Sequence, residues 1–304
     1  MAIDERYRQQ VELLVRTLPS VAAENVFALK GGTAINLFVR DLPRLSVDID
    51  LTYLPVKPRD ESLTEIDETL QRIGKSISET LPDLRVLPSR LAKEGTLNRL
   101  IVRSPHAQIK IEVTPVMRGC VFEPTIMAVS EKVEDQFSFA ETLVVSRDDL
   151  YAGKLVAALD RQHPRDLFDV RDLLANEGIS DTLRQAFLVY ILSHNRPAAE
   201  VLAPRRKDIE QEFQNNFVGM TTAPVRIEDL LATREEMIEI VVSQMPQAHR
   251  EFLIGVERAD VRWQLAGLQE VAELPAVRWK LSNLDKVNQD RRETFAANLA
   301  AIWD

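Results

Sequence analysis

The chain has 304 residues, 45% hydrophobic and 28% charged, the balance of a globular protein with length for two domains and an ample core. Its net charge of −9, from 38 basic and 47 acidic residues, argues against gripping a long duplex through its phosphates and leaves room for a local basic groove that takes one nucleic-acid end. No apolar run approaches the ~18 residues of a membrane span, MAIDERYRQQ lacks the apolar core of a signal peptide, and the single cysteine, Cys120, excludes an internal disulfide and a cysteine-based zinc cluster. The expected compartment is the cytoplasm.

Tyr7, Val11, Leu14 and Val15 recur at helical spacing, so a helix over residues 4–18 precedes the first strand. That strand, Phe27 to Leu29, turns sharply at Gly31-Gly32. Thr33 and a short apolar-periodic segment follow, and beyond Pro43 comes SVDIDLTY. Side chains alternate along a strand, so Val47, Ile49 and Leu51 point one way while Ser46, Asp48, Asp50 and Thr52 point the other. Asp48 and Asp50 are then about 6.5–7 Å apart at their backbones, close enough for both carboxylates to lean onto one or two divalent cations. A DxD pair on a wet strand face, and a GG pair that is only a turn, are the plainer alternatives. What singles the stretch out is the order: strand, GG-T, helix, then a strand with DxD. A glycine turn leading into a helix start suits phosphate oxygens. Joined to two carboxylates, it makes a site for a metal-chelated nucleoside triphosphate. Walker and Rossmann glycine patterns are absent.

Leu63, Ile66, Leu70, Ile73, Ile77 and Leu81 mark an amphipathic helix over 61–81, covering the sheet behind the DxD strand. Strand-like runs LRVLPSRLA, LNRLIVRS and QIKIEVTPV follow. In the last, Lys110, Glu112 and Thr114 share a face, so Glu112 is either a third carboxylate beside Asp48 and Asp50 or part of a solvated Lys-x-Glu pair. Strand character fades after residue 135 and the remainder reads helical, which sets domains at 1–140 and 141–304. AFLVYIL at 186–192 reads as a buried helix, and 195–204 and 219–225 as loops.

In SRDDLYAGKLVAALDRQHPRDLFDVRDLLA, Ser146 is a helix N-cap candidate. Lys154 and Arg161, seven residues apart, share a helix face about 10.5 Å apart, while Leu155, Ala158 and Leu159 turn to core. Pro164 starts the next helix. Arg165 and Asp169 are spaced i,i+4, and Asp166 and Asp169 i,i+3. This constellation is either a solvated cationic face with a surface ion pair or a cation pair that closes over a triphosphate, with Arg165, Asp166 and Asp169 behind it. His106, His163, His194 and His249 have no metal spacing, and His163 reads as a solvated loop residue. Trp263, Trp279 and Trp303 read as core or interface. Arg278, Lys280, Lys286, Arg291 and Arg292 make the tail locally basic, either a solvated helix or a groove for a nucleic-acid end.

LKGGTAINL followed by RLSVDIDL, together with K-x6-R-x3-RDxxD from Lys154 to Asp169, resembles the AbiEii/AbiGii nucleotidyltransferase toxins, a MenT-like branch of the polymerase-β-like superfamily. The resemblance covers both halves through about residue 177. It implies an α+β nucleotidyltransferase core, a small mixed sheet flanked by helices, followed by an all-helical C-terminal domain that closes the nucleotide cleft. It also implies a metal, Mg²⁺ or Mn²⁺, held by Asp48, Asp50 and Glu112, though the family commonly has aspartate at the third position. Gly31, Gly32 and Thr33 would cradle the NTP phosphates. Lys30, Arg44, Ser46 and Lys110 would contact phosphate or support the ligands, and Lys154 and Arg161 would offset charge on the leaving pyrophosphate. Glu112 would complete a second metal position or take the proton of the attacking hydroxyl. The resemblance further implies a toxin of a toxin–antitoxin or phage-defence pair, with a cognate antitoxin and the tRNA 3′ end as acceptor. A small-molecule (antibiotic-modifying) or protein nucleotidyltransferase, and a catalytically silent partner-binding module, are the competing expectations.

Overall fold

Alternating apolar and polar residues, read along successive strands, assemble into one two-faced sheet. In the computed structural model that describes residues 4–92 and 95–304, its strands are β1 (Phe27–Lys30), β2 (Ile49–Tyr53), β3 (Arg85–Arg90), β4 (Leu97–Arg103), β5 (Gln108–Arg118), β6 (Thr125–Ala128) and β7 (Glu141–Val144). Residues 1–3, which open the charged N-terminal run, lie outside the described residues. The strand order is β3-β4-β5-β2-β1-β7-β6, with β1–β7 and β2–β5 parallel and the other pairs antiparallel. Register places Phe27 and Leu29 opposite Tyr53 and Leu51, Ile49 and Leu51 opposite Ile111 and Val113, and Ile111 opposite Leu100. These residues form a continuous apolar face, and all are buried.

Two amphipathic helices belong with that face. α1 (Glu5–Ala22) buries Val11, Leu14, Val15 and Leu18, and extends the predicted helix by a turn. The short α2 (Gly31–Ala34) runs into a π turn at Ile35–Val39. α3 (Arg59–Thr80) buries Leu63, Ile66, Leu70, Ile73 and Ile77, with Gly74 lying against Val86 and Leu100 of the sheet. At about 25 cal/mol per Å² of apolar area, each such side chain contributes about 1.5–3 kcal/mol on burial. α4 (Glu131–Gln136) precedes β7.

The expected loss of strand character after residue 135 is not observed: Glu141–Val144 forms β7 beside β1. Four residues hold too few alternations to register as a period; pairing with β1 and β6 makes the strand. Asp48 lies just before β2 rather than within it.

The chain divides into two units, Met1–Leu150 with Phe217–Val225, and Tyr151–Asn216 with Arg226–Asp304. The loop at 219–225 thus returns to the sheet-bearing unit. There Leu45 N–H donates to the Met220 carbonyl (2.8 Å), and Arg44 bridges Thr221. The second unit takes up the chain within α5 (Arg147–Asp160) and is helical: α6 (Pro164–Asn176), α7 (Asp181–Leu192), α8 (Ala198–Leu202), α9 (Glu210–Asn216), α10 (Ile227–Ile238), α11 (Gln247–Glu257), α12 (Pro275–Asp285) and α13 (Gln289–Ala300). α8 occupies the stretch expected to be loop, starting behind Pro197 and burying Ala198, Val201 and Leu202. AFLVYIL forms the buried part of α7. No helix among the described residues is long and apolar enough to cross a membrane.

Candidate active site

On the face opposite the apolar one, register lines up four charged residues from four strands. Lys30 is opposite Asp50, Asp50 opposite Glu112, and Glu112 opposite Arg99. Directly opposed residues project from the same face, so the sheet carries a row of charges reading plus, minus, minus, plus. Asp50 and Glu112 are half-buried, between solvent and sheet. Burial pushes the Lys30 ammonium down from lysine's ordinary pKa, against the pull of Asp50 and Glu112. Its Nζ lies 3.4 Å from Thr114 Oγ1.

The glycine turn closes on this row. Gly31 has φ +74°, and a Cβ there would come within 2.7 Å of Asp50 Oδ2. A Cβ on Gly32 would meet Arg44 Nη2 at 2.7 Å and Ser46 Oγ at 2.9 Å. Both glycines therefore allow a side chain to lie against bare backbone. Arg44 is buried, and its Nη1 donates to the Leu45 carbonyl. Thr33 is fully buried; its hydroxyl donates to the Asp48 carbonyl and lies 3.1 Å from Ser46 Oγ. Thr33 and Ser46 thus tie the turn to the segment that carries Asp48 and Asp50.

The sequence left Arg99 unnoticed. Its guanidinium grips Glu112 through two bonds of 2.9 Å, Nε to Oε2 and Nη2 to Oε1. Of the three expected ligands, Asp50 and Glu112 stand opposite each other on β2 and β5, and Asp48 lies just before β2. Both oxygens of Glu112 accept from Arg99, and among the described residues no trio of His, Cys, Asp or Glu is gathered for a metal ion. Asp48 and Asp50, half-buried and two residues apart, still suit a hard divalent cation that draws its other ligands from phosphate and water. Lys110 shares the strand face of Glu112 but is opposite Ile101 and exposed. Cys120 is half-buried, its thiol pushed up to about 12 by burial and the nearby Asp149, so it stays a neutral thiol.

In the second unit, Lys154, Arg161, Asp166 and Asp169 meet in one network that lies deeper than a surface pair. Lys154 Nζ lies 2.8 Å from Asp166 Oδ1 and 3.0 Å from Asp169 Oδ2, and all three side chains are buried. Arg161 Nε and Nη2 reach Asp166 at 2.5 and 3.1 Å, and its side chain is 62% exposed. Burial by itself would raise the Asp166 pKa; Lys154 and Arg161 outweigh it and hold the carboxyl well below the usual range. Asp169, spaced i,i+4 from Arg165, is paired with Lys154. The Arg165 N–H donates to His163 Nδ1 (3.1 Å), so His163 is the N-cap of α6 and not a solvated loop residue. Ser146 caps α5 as expected, accepting from Asp149 N–H and donating to its carboxylate. Trp279 is 57% exposed, whereas Trp303 donates to the Val242 carbonyl and Trp263 packs on Phe252.

A glycine turn seated on a strand carboxylate in a mixed sheet can take a metal-bound phosphate group. Residues 12–283 match the family described as nucleotidyl transferase AbiEii toxin, type IV toxin–antitoxin system, and the chain belongs to that family. Its fold is similar to that of MenT4, a nucleotidyltransferase toxin from Mycobacterium tuberculosis H37Rv, with a TM-score of 0.62 and 15% identity over 98% of this chain and 94% of that one. No curated protein gives a significant sequence match.

Proposed function

We propose that this toxin transfers a nucleoside monophosphate from an NTP to a hydroxyl at the 3′ end of an RNA, with tRNA as the acceptor class, under the control of a cognate antitoxin. The observation that carries the reading is the Lys30–Asp50–Glu112–Arg99 row with Gly31 seated on Asp50. Phage defence and a cytoplasmic site of action, where NTPs and tRNA are at hand, belong to the same reading.

The acceptor oxygen attacks the α-phosphorus, the bond to the β-phosphate oxygen breaks, pyrophosphate leaves, and the hydroxyl proton passes to solvent. Asp48 and Asp50 would hold Mg²⁺ or Mn²⁺, which when bound supplies charge neutralisation for the triphosphate. Gly31 and Gly32 let anionic oxygens approach the backbone, and Arg44 supports that turn from behind. Thr33 and Ser46 hold the two acidic positions in place. Glu112, gripped by Arg99 through both oxygens, stands beside Asp50 on the neighbouring strand. In the second unit Arg161, anchored by Asp166, presents its exposed guanidinium to an anionic group.

Purified protein incubated with α-labelled NTPs and total tRNA should place label on the RNA. Asp48→Asn and Asp50→Asn should each lower the rate by at least ~10²-fold, the scale of losing a charge-stabilising group. Label on protein, or on an aminoglycoside, would replace RNA as acceptor; an undiminished rate in both variants would overturn the site.

A further inference from the structure

One basic cluster in the second unit has no part in the account above. Arg205, Arg206 and Lys207 follow the half-buried Pro204 in an exposed loop before α9, and a buried polar network fixes it. The centre of that network is Gln162, 1% exposed and in the left-handed region at φ +54°. Its Nε2 donates to the Arg205 carbonyl (2.8 Å), and its Oε1 accepts from Lys207 N–H (3.1 Å) and from Arg234 Nε (2.8 Å). Arg234, itself 4% exposed, donates through Nη2 to the Pro204 carbonyl (2.6 Å). Lys207 Nζ donates to the Asp160 carbonyl at the end of α5 (2.8 Å). A buried arginine and a left-handed glutamine are costly features, and here they hold one short loop against the turn that follows Arg161.

What the network presents is a pair of cations without carboxylate partners. Among the described residues the Arg205 and Arg206 guanidinium groups enter no hydrogen bond or ion pair. Asp208, the nearest acid in sequence, is turned to α9, where its carboxylate accepts from Glu210 N–H (3.0 Å). In the tail cluster Arg278 pairs with Glu273, Lys280 with Glu257, and Arg291 lies over the Phe295 ring.

We infer that the Arg205–Arg206–Lys207 loop is a binding surface for the phosphodiester backbone of the acceptor RNA. The inference rests on the reading that the acceptor is a nucleic acid. Rigidly held, unpaired guanidinium groups suit a phosphate backbone, because each contact releases condensed counterions while little side-chain or loop order has to be gained on binding. The overall negative charge of the chain makes a local unpaired cation pair the place where a polyanion lands. The loop reads no base, so it contributes affinity and register without sequence preference.

The test is fluorescence anisotropy with a labelled RNA hairpin bearing a single-stranded 3′ end, titrated at several salt concentrations. Arg205→Glu/Arg206→Glu is compared with Lys286→Glu/Arg291→Glu, which changes net charge equally. The first variant should bind roughly ten-fold more weakly and lower the slope of log K against log salt by about 1.5–2, with an unchanged melting temperature. The tail variant should bind nearly as the parent does. Gln162→Ala, which keeps every cation, should weaken binding several-fold by releasing the loop. Equal affinity and slope in the parent and the Arg205/Arg206 variant would overturn the inference while leaving RNA as acceptor. Absence of RNA binding by the parent would overturn both, and competition by polyglutamate alone would reassign the loop to an acidic protein partner.

Discussion

Gly31 illustrates how a backbone position sets chemistry. Its left-handed φ and the 2.7 Å approach of Asp50 Oδ2 to where a Cβ would stand make it the one residue type that fits without moving the carboxylate. Gly31→Ala should cost about 1–2 kcal/mol of stability. It should lower nucleotidyl transfer by more than that stability loss explains, because Asp50 must rotate away. Denaturant titration beside a labelled-NTP assay separates the two, and a variant with full transfer would show that the Asp50 position is not critical. At this scale much was legible in the sequence: the glycine pair, Thr33 and the alternation of Asp48 and Asp50 are all local. Arg99 was not, because its partner Glu112 is fixed by strand order and register, which no local pattern carries.

The helices show the same division between local and distant causes. α6 begins at His163, whose Nδ1 accepts the Arg165 N–H and whose pKa burial lowers to about 4. A protonated imidazole cannot accept that bond. Between pH 4 and about 6.5 the unfolded chain therefore binds a proton that the folded chain refuses, so stability falls as pH is lowered through this window. The contribution is up to about 3 kcal/mol. His163→Asn keeps a capping acceptor without the titration. Its unfolding midpoint should be flatter than the parent's over that range; parallel curves would dismiss the coupling. Pro164 announced this helix in the sequence, but the capping role of His163 depends on burial, which the sequence did not reveal. Likewise the spacing of Lys154, Arg161 and Asp166 was readable, whereas the burial that turns a surface pair into a locked network was not.

At the scale of the whole chain, the sheet-bearing unit includes a segment that follows it by a long interval in sequence. Phe217 and Met220 are buried, and Met220, Thr221 and Gly219 bond to Leu45, Arg44 and Asp4. Residues 1–150 expressed alone should melt lower than the same fragment mixed with a 215–227 peptide. No shift on adding the peptide would show that the segment is dispensable. The fold class was readable from alternation and helical periods, but not this return, since an apolar loop looks the same wherever it docks. The connectivity carries a consequence for biosynthesis. At ~5–20 residues per second, a ribosome reaches the last piece of the first unit on the order of ten seconds after the bulk of it has emerged. For that interval the glycine turn and Arg44 lack their Met220–Thr221 neighbours, so the sheet-bearing half of a toxin matures only after residues 151–216 of its helical half have been translated.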